Sequence, residues 1–172
     1  MGFRPVRGRL GRAVGRAILA ATLATTAVTA AATAAWAVDC DEGRVTLRGD
    51  WGQAKFTVEL ADEPAERSQG LMNVPEMPML AGMLFVYEEP THATFWMRNT
   101  LIPLDMLFFD PEGRLVTLHE NAVPMDETVI DGGTGIQYVL EINGGMAARL
   151  GIAEGDLMAH PALGEGAALA CD

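Results

Sequence analysis

The sequence predicts a mainly β domain, a sandwich or barrel with one or two short helices (α+β by count), and three observations point there. From residue 83 onward, short apolar runs recur between turn residues, at the spacing of an all-β fold rather than of alternating strands and long helices. Residues 55–60 alternate strictly, with Phe56, Val58 and Leu60 on one side and Lys55, Thr57 and Glu59 on the other. Helix signals are confined to two brief stretches.

Taken in order, residues 1–37 read as an export segment. Five arginines occupy the first sixteen positions, Ala17 to Ala35 carries no charge, and Ala35-Trp36-Ala37 is a small-x-small cleavage pattern. The uncharged stretch is mostly alanine broken by five threonines, too weakly apolar for a stable membrane span. Asp39 before Cys40 is not the small residue that precedes a lipid-modified cysteine. A periplasmic or extracellular location follows as the expectation. Residues 38–54 then form an N-terminal segment with Cys40, residues 55–160 a single β-rich domain, and residues 161–172 an Ala- and Gly-rich tail with Cys171.

Within the domain, the strand 55–60 leads to Asp62 as a helix N-cap, Pro64 early in the helix, and Gly70 as its stop. Val74 to Met79 holds two prolines and cannot be regular for long. Strands are expected at 83–87, 93–98, 104–109, 114–120 and 137–143, with a tight turn at Asp110-Pro111-Glu112-Gly113, a loop at Gly132-Gly133-Thr134-Gly135 and a short helix at 146–150 ended by Gly151. Cys40 and Cys171 lie at opposite ends of the exported chain. Domain termini are often close in space, and export brings an oxidising compartment, so a Cys40–Cys171 disulfide is expected.

Charge and residue inventory narrow the chemistry. The whole chain has 12 bases and 23 acids; without the five N-terminal arginines, seven bases face all 23 acids, a net of −16. Nucleic acid is therefore not an expected partner, since phosphate binding needs a basic surplus. Ser68 is the only serine and lacks the glycine frame of a nucleophile elbow, and Lys55 is the only lysine. His92, His119 and His160 show no zinc spacing, so no metal and no cofactor is expected. Carboxylates and imidazole remain for acid–base work.

Asp105 stands in the apolar run 102–109, where a charge must be satisfied. The structural expectation is that it accepts from the amides of Asn99-Thr100-Leu101 or pairs with Arg98; the functional one is that it faces a ligand. Glu141 is a second acid in mid-strand, and His119 and Glu120 end a strand on opposite faces. One of Phe95 and Trp96 should be core and the other free to line a cleft. Trp96, Arg98, Asn99, Asp105 and His119 form the candidate ligand cleft, a flat apolar ring beside a few polar groups.

The run Phe95-Trp96-Met97-Arg98-Asn99-Thr100-Leu101-Ile102-Pro103-Leu104-Asp105 resembles the DUF192 family of domains of unknown function. Glu66-Arg67-Ser68-Gln69-Gly70-Leu71-Met72, Gly82-Met83-Leu84-Phe85, Asn121-Ala122-Val123-Pro124, Leu140-Glu141-Ile142-Asn143 and Gly155-Asp156 extend the resemblance over about residues 55–160. Arg98 stands where the family usually shows Lys. The resemblance implies a compact jelly-roll-like sandwich with a small helix, often behind an export signal, and brings no activity or site residue. The leading functional expectation is an exported, non-catalytic, monomeric module that binds a small molecule, glycan or protein. Two others stand beside it: a hydrolase of glycan or envelope substrates using two of Asp105, Glu120 and Glu141, and a copper-binding protein using Met72, Met77, Met79 and Met83.

Overall fold

A computed structural model describes residues 1–2 and 38–172, and the expected export segment lies outside these residues but for its first two. The strands are β1 (Arg44–Gly49), β2 (Gly52–Ala61), β3 (Ala81–Phe95), β4 (Leu104–Phe109), β5 (Leu115–Ala122), β6 (Ile130–Asn143) and β7 (Leu157–Ala159), with helices α1 (Pro64–Gln69) and α2 (Met146–Leu150) and a 3-10 segment at Pro161–Gly166. They form one sheet in the order β5-β4-β6-β3-β2-β1-β7. The fold is thus mainly β, and the sheet curls until its edges meet. Arg114 bridges Leu157, Leu115 N–H donates to Asp156 O and Met158 N–H to Gly113 O.

Every strand pair is antiparallel except β2–β3, where α1 carries the crossover. Pro64 opens α1, the Glu63 amide donates to the Glu66 carboxylate, and Gly70 ends the helix with φ 47°. The N-cap is Glu63 rather than the expected Asp62, because Pro64 fixes the first helical residue one place later than Asp62 would require.

The sheet is buried on both sides. Leu84, Leu107, Phe109, Tyr138, Leu140 and Ile142 pack on one face with Val45, Leu47, Phe56, Met146 and Met158. Met83, Phe85, Met106, Phe108 and Val139 pack on the other with Ala61, Leu71 and Met97. This two-sided burial explains where sequence and structure differ. β1, inside the expected lead-in segment, has Val45, Thr46 and Leu47 all buried, so it carries no alternation to read. The expected strands at 83–87 and 93–98 are one long β3, interrupted by register shifts between Val86 and Thr94. Its partner β6 starts at Ile130 and runs through the glycines expected as a loop. Gly132 is needed there because a Cβ would lie 2.1 Å from the Phe108 ring. The tail is also more anchored than its composition implied, with Leu163 and Leu169 buried.

The termini are tied as expected. Cys40 and Cys171 form a disulfide with Cα atoms 5.6 Å apart, and beside it Val38 N–H donates to Ala170 O and Asp172 N–H to Val38 O.

Asp105 is fully buried and clasps two segments at once through three amides. One carboxylate oxygen accepts from the amides of Asn121 at 2.8 Å and Gly145 at 2.9 Å, and the other from Ala147 at 2.8 Å. The expected partners at 99–101 or Arg98 are not the ones used. Register is the reason: Asp105 pairs with Ile142, which sets its side chain beside the junction of β6 with α2. Asp105→Ala should cost about 3–5 kcal/mol in urea unfolding, because three inward amides lose their acceptor, while Asp105→Asn, which keeps one acceptor oxygen, should cost less. Equal, small losses for both would contradict this role.

Candidate functional site

A cavity of about 420 Å³ lies on the second face of the sheet beneath α1. Its floor is Glu141 of β6 with Phe85 and Tyr87 of β3, its wall is Arg67 to Met72, and its mouth carries Phe95, Trp96 and Val129. Glu141 is there because it pairs with Met83 on one side and Met106 on the other, which puts it on the face of Met83, Phe85 and Val139. Its residue is 4% exposed, and its carboxyl makes no hydrogen bond to any described residue. The oxygens open onto the cavity instead. Burial, with no compensating cation, lifts the carboxyl from the ordinary value of 4.5 to about 8. At neutral pH it is mostly an uncharged acid.

Most of the other polar lining groups are engaged with the protein, the hydroxyls of Tyr87 and Thr94 excepted. Arg67 Nη1 donates to the carbonyls of Asp62 and Val86, while its Nη2 meets both oxygens of Glu88 at 3.2 and 3.3 Å. The guanidinium also lies over the Tyr87 ring, 5.2 Å from its centroid. Ser68 Oγ donates to Pro64 O, Gln69 Nε2 to Met72 O, and Thr100 Oγ1 to Arg98 O. Tyr87 has its phenol pushed up by burial, with Arg67 acting downward and Glu141 upward.

The five residues of the expected cleft separate into three places. Trp96 lines the cavity mouth, 45% exposed, with Arg98 stacked 5.6 Å from its centroid on the rim. Phe95, its neighbour, turns inward and packs edge-on against Phe85 and Phe108 at 5.2 and 5.6 Å, while still bordering the cavity. Asn99 sits beside the rim with φ 56°, its carbonyl accepting from Asn73 N–H. Asp105 belongs to the opposite face, in the clasp described above. His119 lines a separate hollow with Glu120 and Asp126.

The paired-carboxylate arrangement is not assembled. Glu141 and Glu120 border different cavities, and Asp105 is closed off by amides. The four methionines diverge as well: Met72 lines the main cavity, Met77 packs on the core, Met79 is exposed and Met83 borders the hollow on the far side of α1. Arg67, Tyr87 and the cavity role of Glu141 went unassigned from sequence. The available signal was Glu141 itself, an acid with apolar neighbours on both strand faces.

The family description that matches is DUF192, an uncharacterized ACR, over residues 45–160, a span that contains every residue lining the cavity. The chain belongs to the DUF192 family. It is similar to the crystal structure of a protein of unknown function from Novosphingobium aromaticivorans, 46% identical with a TM-score of 0.66, over 67% of this chain and 83% of that one. It is also similar to that of a candidate transcription regulator from Sinorhizobium meliloti, 43% identical with a TM-score of 0.68, over 73% of this chain and 98% of that one. No curated protein matches. As a DUF192 domain it inherits a shared fold and no assigned chemistry, so its cavity must be read from its own residues.

Glu141 makes a signed pH prediction. The unfolded carboxyl loses its proton near 4.5 and the folded one near 8. Folding is therefore unpenalised below the first value, increasingly penalised between the two, and penalised by a constant amount above the second. Glu141→Gln, which mimics the protonated form, should gain stability over the wild type across that window, reaching on the order of a few kcal/mol at its upper end. Urea unfolding at several pH values checks this. Parallel stability curves for the two proteins would rule out the elevated carboxyl.

Proposed function

We propose that this DUF192 domain is an exported small-molecule-binding module and that the cavity over Glu141 is its ligand site. One observation carries the reading: a buried carboxyl without a protein partner faces an aromatic-lined cavity of ligand size. An unpartnered polar group in such a place costs stability, and a ligand that supplies the missing contact recovers it. The rim fits the same reading, because Trp96 and Val129 lie exposed together at the mouth and offer a ligand an apolar edge.

Export is supported by the basic-then-uncharged character of residues 1–37 and by the terminal disulfide, which persists in an oxidising compartment. Among the described residues no helix is long and apolar enough to cross a membrane. The regulator description of the Sinorhizobium relative finds little support here, because seven bases against 23 acids after residue 37 offer no phosphate-binding surplus.

The test uses protein recovered from the periplasm or medium, with its N-terminus expected at Val38, in a thermal-shift screen against sugars, peptidoglycan fragments, peptides, amines and organic acids. A true ligand at one hundred times its dissociation constant should add about 2.7 kcal/mol of stability. Thr94→Trp, at an exposed lining position, should fill the mouth and abolish the shift without lowering the melting temperature. A ligand shift that survives Thr94→Trp would place the site elsewhere.

A further inference from the structure

The floor of the cavity holds one buried carboxyl, Glu141, that no cation faces and no hydrogen bond reaches. Arg67, the cation in its wall, is matched by Glu88, and both of its terminal nitrogens already meet protein acceptors. It is thus a poor clamp for a carboxylate or phosphate ligand. Ser68, Gln69 and Thr100 are likewise bonded to backbone carbonyls, so a ligand with many hydroxyls finds few waiting partners. What remains free is the Glu141 carboxyl, 4% exposed and opening inward among Phe85, Tyr87, Phe95 and Trp96, with the hydroxyls of Tyr87 and Thr94 as the neutral groups beside it. Aromatic faces attract cations through their quadrupole, most strongly where water is excluded. The domain around them carries a net of −16 after residue 37, a field that draws cations and repels anions.

Resting on the small-molecule reading above, we infer that the ligand is an organic cation: an ammonium head on a short uncharged body, with Glu141 as counter-ion and the rings of Tyr87, Phe95 and Trp96 against it. One carboxyl facing several rings matches one charged head with an apolar body. It does not match a polyhydroxylated sugar or an organic anion. The cation also resolves the electrostatic cost of the empty site, because it stabilises the ionised form of Glu141 that burial opposes. Below the pH at which the free carboxyl ionises, binding should therefore expel a proton.

The probes are choline and butylammonium, each compared with its uncharged isostere, in which carbon replaces nitrogen or hydroxyl replaces ammonium. Binding to the purified protein is followed by calorimetry and by amide NMR shifts. The expected result is perturbation of cavity residues such as Gly70, Phe95 and Trp96, with at least one cation held about tenfold or more tighter than its isostere. That preference should shrink severalfold in Glu141→Gln, leaving the smaller part that the rings supply. Calorimetry of the wild type in buffers of different ionisation enthalpy should show up to about one proton released per cation at neutral pH, falling toward none as the carboxyl ionises on its own. Arg67, Tyr87, Glu88, His119 and Arg98, which stacks on Trp96 at the rim, are the other titratable or charged groups near this face. They are common to the wild type and Glu141→Gln, so their contributions cancel in the comparison.

Equal affinity for cation and isostere, or a charge preference undiminished in Glu141→Gln, would overturn the assignment. If the cations leave the cavity resonances unmoved while a neutral or anionic compound from the wider screen shifts them, the cation is wrong and the binding site stands. If no compound shifts them, both readings fall.

Discussion

The register of β6 between β3 and β4 is the constraint from which the rest of this domain follows. Residues 138, 140 and 142 fill one core, and residues 139 and 141 face the other side. A slip of one residue would push Leu140 or Ile142 into the cavity and drive the Glu141 carboxyl into the opposite core. Two devices hold that register. Asp105 grips the amides just beyond the end of β6, and Gly82 lets β3 approach so closely that a Cβ there would lie 2.3 Å from the Glu141 carbonyl oxygen. The clasp on one face therefore positions the acid on the other.

Two acids in apolar strands thus have opposite fates. Asp105 is satisfied three times over, and it ties the end of β5 to the start of α2 just beyond β6. Glu141 has neither a hydrogen-bond partner nor a counter-ion among the described residues. Natural domains seldom leave a buried polar side chain in that state without a function. The surrounding arrangement sharpens the contrast, since Arg67 could have neutralised it and is instead matched to Glu88 and stacked on Tyr87.

Much of the architecture was legible in the chain. β4 and α2 have the expected limits, and the turn at Asp110–Gly113 forms with Gly113 at φ 77°. These elements depend on local pattern and turn chemistry. The parts that were hidden depend on neighbours far away in sequence. β1 does not alternate because both its faces are covered, and β6 runs through Gly132 because Phe108 lies above it. The partners of Asp105 could not be read from residue type, because β-register rather than proximity in sequence brings Asn121, Gly145 and Ala147 to it. The cavity was half visible. Trp96 and the division of labour with Phe95 follow from strand alternation, whereas Arg67 and Tyr87 meet only once α1 folds across β3.

The protonation state of Glu141 is the point on which the site reading turns, and it can be observed without any ligand. Infrared difference spectra between wild type and Glu141→Gln isolate the carbonyl stretch of this one carboxyl. A protonated-acid band at neutral pH that titrates away with a midpoint near 8 is the expected result. A carboxyl already ionised at neutral pH, with a midpoint near the ordinary 4.5, would mean that Glu141 is solvated or paired, and the cavity would lose the feature that marks it as a ligand site.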